Sequence, residues 1–298
     1  VDLSGYTMKY YKGLGTSTST LAREYFSAYH THLVDVVWSL DSDLLMKQMF
    51  DSDSAAARRA LIKSHYDPES YVDYTANSVT YADFLTKEVL HYSNYSNERN
   101  IPSAIDGLKP GQRKALYTLL SKNITRDVKV AQVAADIAAY TAYHHGEVSM
   151  VETVVGMAQD HVGVSNINLF RPEGQFGSRL DPPSVHSAAR YIFTGLDPVA
   201  RYLFPAADDA VLTYLEDEGA RIEPRTYVPV IPTALVNGSF GIGTGWSTFV
   251  PMYDPMALIQ VCRAWIAEGD GGIYPLCAPD VMHPWYDGFR GTVQMITG

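Results

Sequence analysis

Residues 129–160 constrain the fold more than any other part of this sequence. They read as two helices joined by the short segment Tyr143-His-His-Gly-Glu147. The first helix, near Val130–Tyr140, is apolar and rich in Ala. The second is expected to run from Ser149, as N-cap, to Asp160, with Met150, Val151, Val154, Val155 and Ala158 recurring at helical spacing. Two helices across a Gly-containing turn form a helix-turn-helix. Such a pair is either ordinary packing or a way of presenting the second helix outward. The next stretch is Asn168-Leu-Phe-Arg-Pro-Glu-Gly-Gln-Phe-Gly-Ser-Arg-Leu-Asp-Pro-Pro183. It holds too many turn-formers for a helix and too much pattern for a linker, which suits a wing or β-loop. It delivers Ala188-Ala-Arg-Tyr-Ile-Phe-Thr194. In an extended segment Arg190 and Tyr191 would point opposite ways. The ordinary reading is then a core tyrosine beside a surface arginine.

Upstream, Ile105-Asp-Gly-Leu-Lys-Pro-Gly-Gln-Arg-Lys-Ala-Leu-Tyr117 predicts a helix that starts at Pro110. Arg113 and Lys114 lie on its first turn, where cations oppose the helix dipole. Their partner is either a phosphate backbone or a surface salt bridge. Tyr81 to Tyr92 reads as a helix broken by Asn97-Glu-Arg-Asn-Ile-Pro102. Residues 41–70 read as one short helix capped by Ser or Asp, then a connection broken at Pro68. A solvated face accounts for the charges in Asp51-Ser-Asp-Ser-Ala-Ala-Ala-Arg-Arg59. The chain opens without Met, through Lys9-Tyr-Tyr-Lys-Gly-Leu-Gly-Thr16, into a capped helix at Ser19-Thr-Leu-Ala-Arg-Glu-Tyr-Phe26. That Gly-x-Gly is either a plain turn or a close approach to phosphate. Both ends are abrupt, so a segment of a longer chain is expected.

The 298 residues, 46% of them hydrophobic, suffice for one large domain or two ordinary ones. The 21 tyrosines and a charged fraction of 19% exclude a disordered composition. No apolar run is long enough to span a bilayer, and the first residues lack a signal-peptide pattern. Cys262 and Cys277 have no C-x-x-C neighbourhood and read as free thiols in a reducing compartment. The net charge of −10 argues against nucleic acid, but it is unevenly spread. Residues 99–201 carry 11 Lys+Arg against 9 Asp+Glu, and four of the nine histidines. Residues 1–98 carry 8 against 13, and residues 202–298 carry 4 against 11. The middle third is therefore the face a polyanion could use.

In order along almost the whole chain, these segments resemble the type IIA DNA topoisomerases of eukaryotic type. The resemblance rests on Tyr11-Lys-Gly-Leu-Gly-Thr-Ser-Thr-Ser19, Asn100-Ile-Pro, Ile105-Asp-Gly-Leu-Lys-Pro-Gly-Gln-Arg-Lys114 and Tyr143-His-His-Gly-Glu147. It continues through Pro172-Glu-Gly-Gln-Phe-Gly-Ser-Arg-Leu180, Ala189-Arg-Tyr-Ile-Phe-Thr194, Glu223-Pro224, Val230-Ile-Pro232 and Val236-Asn-Gly-Ser-Phe-Gly-Ile-Gly-Thr-Gly-Trp246. It implies an α+β fold in four parts. Residues 1–26 would end a Toprim domain, and residues 27–69 would be a helical connection. Residues 70–200 would form a winged-helix (helix-turn-helix) DNA-gate domain, and residues 201–298 would begin an α/β tower.

The implied activity is transient double-strand cleavage of DNA through a 5′-phosphotyrosine link, strand passage and religation, performed by a homodimer. Tyr191 would be the nucleophile. A phenol ionises near pH ~10, so its attack needs help at neutral pH. Arg190, Arg113 and His145 would supply donors to the phosphoryl oxygens. Lys12, Lys114, His144, Gln175 and Arg179 would contact DNA, and Ile242 would wedge into the base stack. Mg2+ would be held by Toprim carboxylates outside these residues, and ATP by an ATPase domain also outside them, leaving no metal site here. No membrane partner is expected. The location would be nuclear, or a viral replication site or the cytoplasm for a virus. The family's His-Gly-Gly-Lys-Asp stretch is replaced here by Asp181-Pro-Pro-Ser-Val185, and the Pro before the arginine by Ala189. These departures put local DNA contacts in doubt and point to a divergent lineage, a protist or a large DNA virus. The alternatives are a DNA-binding relative that does not cleave and the bacterial-type chain of gyrase or topoisomerase IV that carries the tyrosine. Lys-Gly-Leu-Gly-Thr in the same chain favours the fused eukaryotic arrangement.

Overall fold

A computed structural model describes residues 5, 17–182, 185–217, 219–269, 276–277 and 282–294. The chain divides into two compact units, Val1–Asn94 and Tyr95–Gly298.

In the first unit, α1 (Ser19–Ser27) is capped by Thr18, whose Oγ1 accepts from Leu21 N at 3.3 Å. After α2 (Tyr29–His32), strand β1 (Asp35–Val37) pairs in parallel with β2 (Ser78–Thr80). Two helices occupy the stretch expected to hold one: α3 (Ser42–Phe50) and α4 (Ala55–His65). The chain reverses between them in a tight turn where Asp53 N donates to Asp51 Oδ1 at 3.0 Å. Arg58 is half-buried rather than on a solvated face. It donates to Met49 O at 2.8 Å and Asp51 O at 2.7 Å, carbonyls at the end of α3. The helix expected from Tyr81 is α5 (Tyr81–Thr86), interrupted at Lys87 and resumed as α6 (Glu88–Asn100). It runs through Asn97 instead of breaking there. Asn100 Nδ2 donates to Ser96 O at 2.8 Å, and termination waits for Pro102, which disfavours helical backbone at Ile101.

In the second unit, α7 (Pro110–Ser121) begins at its proline as expected, with Gln112 Oε1 accepting from Lys109 N at 2.9 Å. Its buried Leu116, Leu119 and Leu120 meet Val133 and Ile137 of α8 (Val130–Tyr140) and Met150 and Val154 of α9 (Glu147–Ala158) in one core. This is the expected helix-turn-helix. The second helix starts two residues before Ser149, because Gly146 is the N-cap and Glu147 puts an acid on the first turn. Strand β3 (Val128–Lys129) pairs antiparallel with β4 (Phe193–Thr194) in the register Val128↔Thr194 and Lys129↔Phe193.

The Gly- and Pro-rich stretch folds back as a wing held by isolated bridges, Phe170↔Leu196 and Glu173↔Phe193, rather than by a regular strand. Gly174 and Gly177 lie at φ 117° and 95°. At Gly177 a Cβ would lie 2.6 Å from Val185 O, which excludes any other residue. Then follow α10 (Pro198–Leu203), β5 (Tyr214–Asp217) against β6 (Ala220–Pro224), α11 (Thr233–Val236), β7 (Ser239–Ile242) against β8 (Ser247–Val250), and α12 (Pro255–Glu268).

Candidate active site

The wing hairpin sets Tyr191 apart. On one side Ser187 N donates to Gln175 O at 3.0 Å, and on the other Glu173 and Phe193 exchange both backbone hydrogen bonds at 2.9–3.0 Å. Between these pairings one arm contains Gly174 alone, while the other contains residues 188–192. The excess chain bulges outward as a turn closed by Tyr191 N donating to Ala188 O at 2.8 Å. The start of α8 fixes that turn. Val130 N donates to Ile192 O at 3.0 Å and Ala131 N to Ala189 O at 3.1 Å. Helix amides that would otherwise lack partners thus hold the turn on both sides of the tyrosine. Ile192 is in the core, and the Tyr191 ring is 66% exposed.

The tyrosine is therefore not a core residue, and the Arg–Tyr pair is not extended. The Arg190 guanidinium carbon lies 4.7 Å from the Tyr191 ring centroid, on the same side of the chain. Buried tyrosines differ chemically. Burial and the Tyr140 hydroxyl push Tyr117 up to about 12, and burial pushes Tyr227 higher still.

The loop between α8 and α9 holds His144 and His145. Ala142 turns the chain at φ 47°. His145 Nε2 and the Tyr95 hydroxyl share a hydrogen bond at 2.6 Å, and the Tyr143 ring meets the imidazole edge-on at 5.2 Å. His144 Nε2 donates to Asp217 Oδ2 at 3.1 Å. Lys114 anchors the loop, donating to Thr141 O at 2.6 Å and to the buried Glu223 at 2.9 Å.

The two cations on the first turn of α7 thus have partners within the protein. Arg113 is 6% exposed and Asp106 1%. Arg113 Nε and Nη2 reach the Asp106 carboxylate at 2.8 and 3.0 Å, and Nη2 also donates to Leu108 O at 2.8 Å. Of the two partners open in the sequence, the contact found is an ion pair, buried rather than on the surface.

Gln175 and Arg179 are exposed on the wing. Ile242, at the end of β7, is 64% exposed. The glycines beside it serve the protein's own packing. A Cβ on Gly241 would overlap Asn100 O, and one on Gly243 would overlap Asn97 Oδ1. Gly241→Ala should therefore destabilise the chain by about 1–3 kcal/mol in denaturant titrations. Gly156→Ala, on an open face of α9, should instead stabilise it by up to about 1 kcal/mol. Equal midpoints for the two would refute this account of the close approach. Lys12 lies outside the described residues. The sequence reading passed over Lys129, exposed and paired in register with Phe193 two residues from Tyr191. Its position in Arg126-Asp-Val-Lys129, just before an apolar helix, was the available signal. Among the described residues no group of three His, Cys, Asp or Glu side chains could hold a metal.

Fold and site together define a winged helix-turn-helix protein that displays an arginine-stacked tyrosine on an exposed turn. The family model for the A-type chain of DNA gyrase/topoisomerase IV matches residues 99–297, and the C-terminal associated domain of TOPRIM matches residues 1–97. The mitochondrial DNA topoisomerase 2 of Dictyostelium discoideum is 46% identical over 98% of this chain and 22% of its own length. DNA topoisomerase 2 of Arabidopsis thaliana is 45% identical over 98% of this chain and 19% of its own. The solved DNA-binding, cleavage and re-ligation domain of Plasmodium falciparum topoisomerase II aligns with a TM-score of 0.77 and 43% identity, over 99% of this chain and 39% of that one. The chain belongs to the type IIA DNA topoisomerases, on the eukaryotic topoisomerase II side of the family. It spans about a fifth of the length of these curated relatives.

Proposed function

We propose that the protein carrying this chain cuts and reseals duplex DNA through Tyr191. The observation that carries the reading is the exposed tyrosine turn pinned to the first amides of α8. The phenol oxygen attacks a backbone phosphorus. An O–P bond to Tyr191 forms, the bond to the 3′ oxygen breaks, and the phenol's proton passes to solvent while the leaving oxygen gains one. Resealing runs the exchange backwards and conserves the phosphodiester energy. Arg190 and His145 stabilise charge on the phosphoryl oxygens. The Asp106 pair supports a positioning role for Arg113 in preference to direct contact with phosphate. Lys114 and His144 likewise hold the loop, while Lys12, Gln175, Arg179 and Lys129 neutralise backbone phosphates. Ile242 is the wedge between bases.

Mg2+ and ATP belong to other parts of the whole protein. The metal, when bound there, supplies positive charge to the phosphoryl group. A homodimer gives one tyrosine per strand, and two-fold symmetry suits a double-strand gate. The nucleus is the proposed location, or a viral replication site in the cytoplasm for a viral protein. No helix among the described residues is long and apolar enough to cross a membrane.

The test is to trap labelled DNA on the full-length protein with denaturant and map the adduct; a phosphopeptide lacking residue 191 would refute the assignment. Arg190→Ala and His145→Ala should each slow cleavage about 10²–10³-fold with melting temperatures unchanged, as loss of one charge-stabilising donor does. Wild-type rates in both would return these residues to ordinary structure. DNA affinity should fall with salt at a logarithmic slope of about −0.9 per phosphate neutralised.

A further inference from the structure

We propose that the cavity between the wing, the β7–β8 hairpin and the segment around Tyr286 is a binding site for a small planar aromatic anion. This goes beyond DNA cleavage and does not involve Tyr191; of the residues used here, only Arg179 is also among the proposed phosphate contacts. The cavity measures ≈ 710 Å³, within the range of drug-sized ligand pockets. Among the described residues four rings line it: Phe240, Phe249, Tyr286 and Phe289. They form two edge-on pairs, Phe240 with Phe249 at 6.4 Å and Tyr286 with Phe289 at 6.3 Å. Phe240 and Phe249 are 57% and 73% exposed, a large apolar surface for a hairpin to leave in water. Ring edges and faces of this kind accept a flat ligand.

Charge selects the sign of that ligand. The chain has a net charge of −10, yet among the described residues no Asp or Glu lines this cavity, while Lys109 and Arg179 do. Neither cation has an ion-pair partner among the described residues. Lys109 is half-buried at the N-cap of α7, and burial pushes its ammonium below the usual lysine range. A partly desolvated charge with no counter-ion gains more from an arriving anion than an ammonium in free water does. One carboxylate, sulfonate or phosphate at Lys109, with its ring system against the Phe pair, satisfies both features of the cavity.

The experiment titrates the full-length protein with 8-anilino-1-naphthalenesulfonate, following fluorescence, and with its uncharged relative N-phenyl-1-naphthylamine. Lys109→Met should weaken the sulfonate about 10- to 100-fold, the range for a hydrogen bond to a charged group, and leave the neutral dye nearly unaffected. Phe249→Ala, at an exposed position where folding is not at risk, should weaken both dyes. Lys109→Arg should retain the sulfonate. Equal sulfonate affinity in wild type and Lys109→Met would overturn the proposal, since the dye would then sit elsewhere. That failure leaves the assignment of Tyr191 intact, because that rests on the mapped adduct.

Discussion

Tyr191→Phe should abolish covalent DNA attachment, by at least about 10⁴-fold, while DNA affinity stays within about twofold of wild type. The substitution removes one oxygen and little else. The ring is 66% exposed, so no buried partner loses a hydrogen bond. The turn is held by backbone bonds from Val130, Ala131 and Tyr191 itself, which Phe retains. Arg190 can still stack on a phenyl ring, so the surface offered to DNA keeps its shape and charge. On the proposed function the phenol oxygen is the nucleophile and has no substitute, and losing a nucleophile typically costs catalysis several orders of magnitude. Denaturant-trapped labelled DNA measures attachment, and gel shift at fixed salt measures affinity. Attachment at wild-type level in the Phe variant would remove Tyr191 from the chemistry. Lost affinity together with lost attachment would mean that the hydroxyl positions DNA and does not attack it.

The largest expected stability effect lies at Asp106. Its carboxylate accepts from Arg113 Nε and Nη2, from Leu108 N at 2.9 Å and from Tyr227 N at 2.9 Å, and its carbonyl accepts from Thr233 Oγ1 at 2.8 Å. Asp106→Ala strands a buried guanidinium and two backbone amides. Removing one partner of such a pair costs about 3–5 kcal/mol, or roughly 6–20 °C for a unit of this size. Arg113→Lys should lose much of the pair as well, because an ammonium cannot form the fork. The double variant should cost clearly less than the sum of the single ones. A shift of under about 1 kcal/mol for Asp106→Ala in denaturant titrations would show that water reaches this pair. The same variants decide how Arg113 acts. Equal cleavage deficits in Asp106→Ala and Arg113→Ala, under conditions where both are folded, mean positioning. A deficit confined to Arg113→Ala means contact with phosphate.

Local rules were enough wherever neighbours in sequence are neighbours in space. Pro110 starts α7, Thr18 caps α1, and the apolar spacing of 150–158 gives the buried face of α9. They misplaced features held by distant partners. Asn97 and Asn100 look like helix breakers. They sit in α6, where Asn97 Nδ2 donates to Thr244 O at 3.1 Å and β7 presses against the helix end. Arg113 and Lys114 look like cations awaiting an anion, because Asp106 lies in the preceding loop and Glu223 is 109 residues further on. The division near Asn94 falls within a helix, with no Gly- or Pro-rich linker to announce it.

By itself the sequence determined the helix pair, its core face and a turn-rich stretch suited to a wing, through helical period and turn-forming residues, while the family resemblance singled out Arg190 and Tyr191. Tertiary structure alone decided that Tyr191 stands outward beside its arginine while Tyr117 and Tyr227 are enclosed. The physical reason is that exposure depends on where excess chain goes when two arms of unequal length pair. Here the pairings at Gln175 and Glu173, and the free amides of α8, force residues 188–192 out of the hairpin. Those partners lie up to about 60 residues away along the chain, beyond the reach of any period or propensity read from residues 188–194.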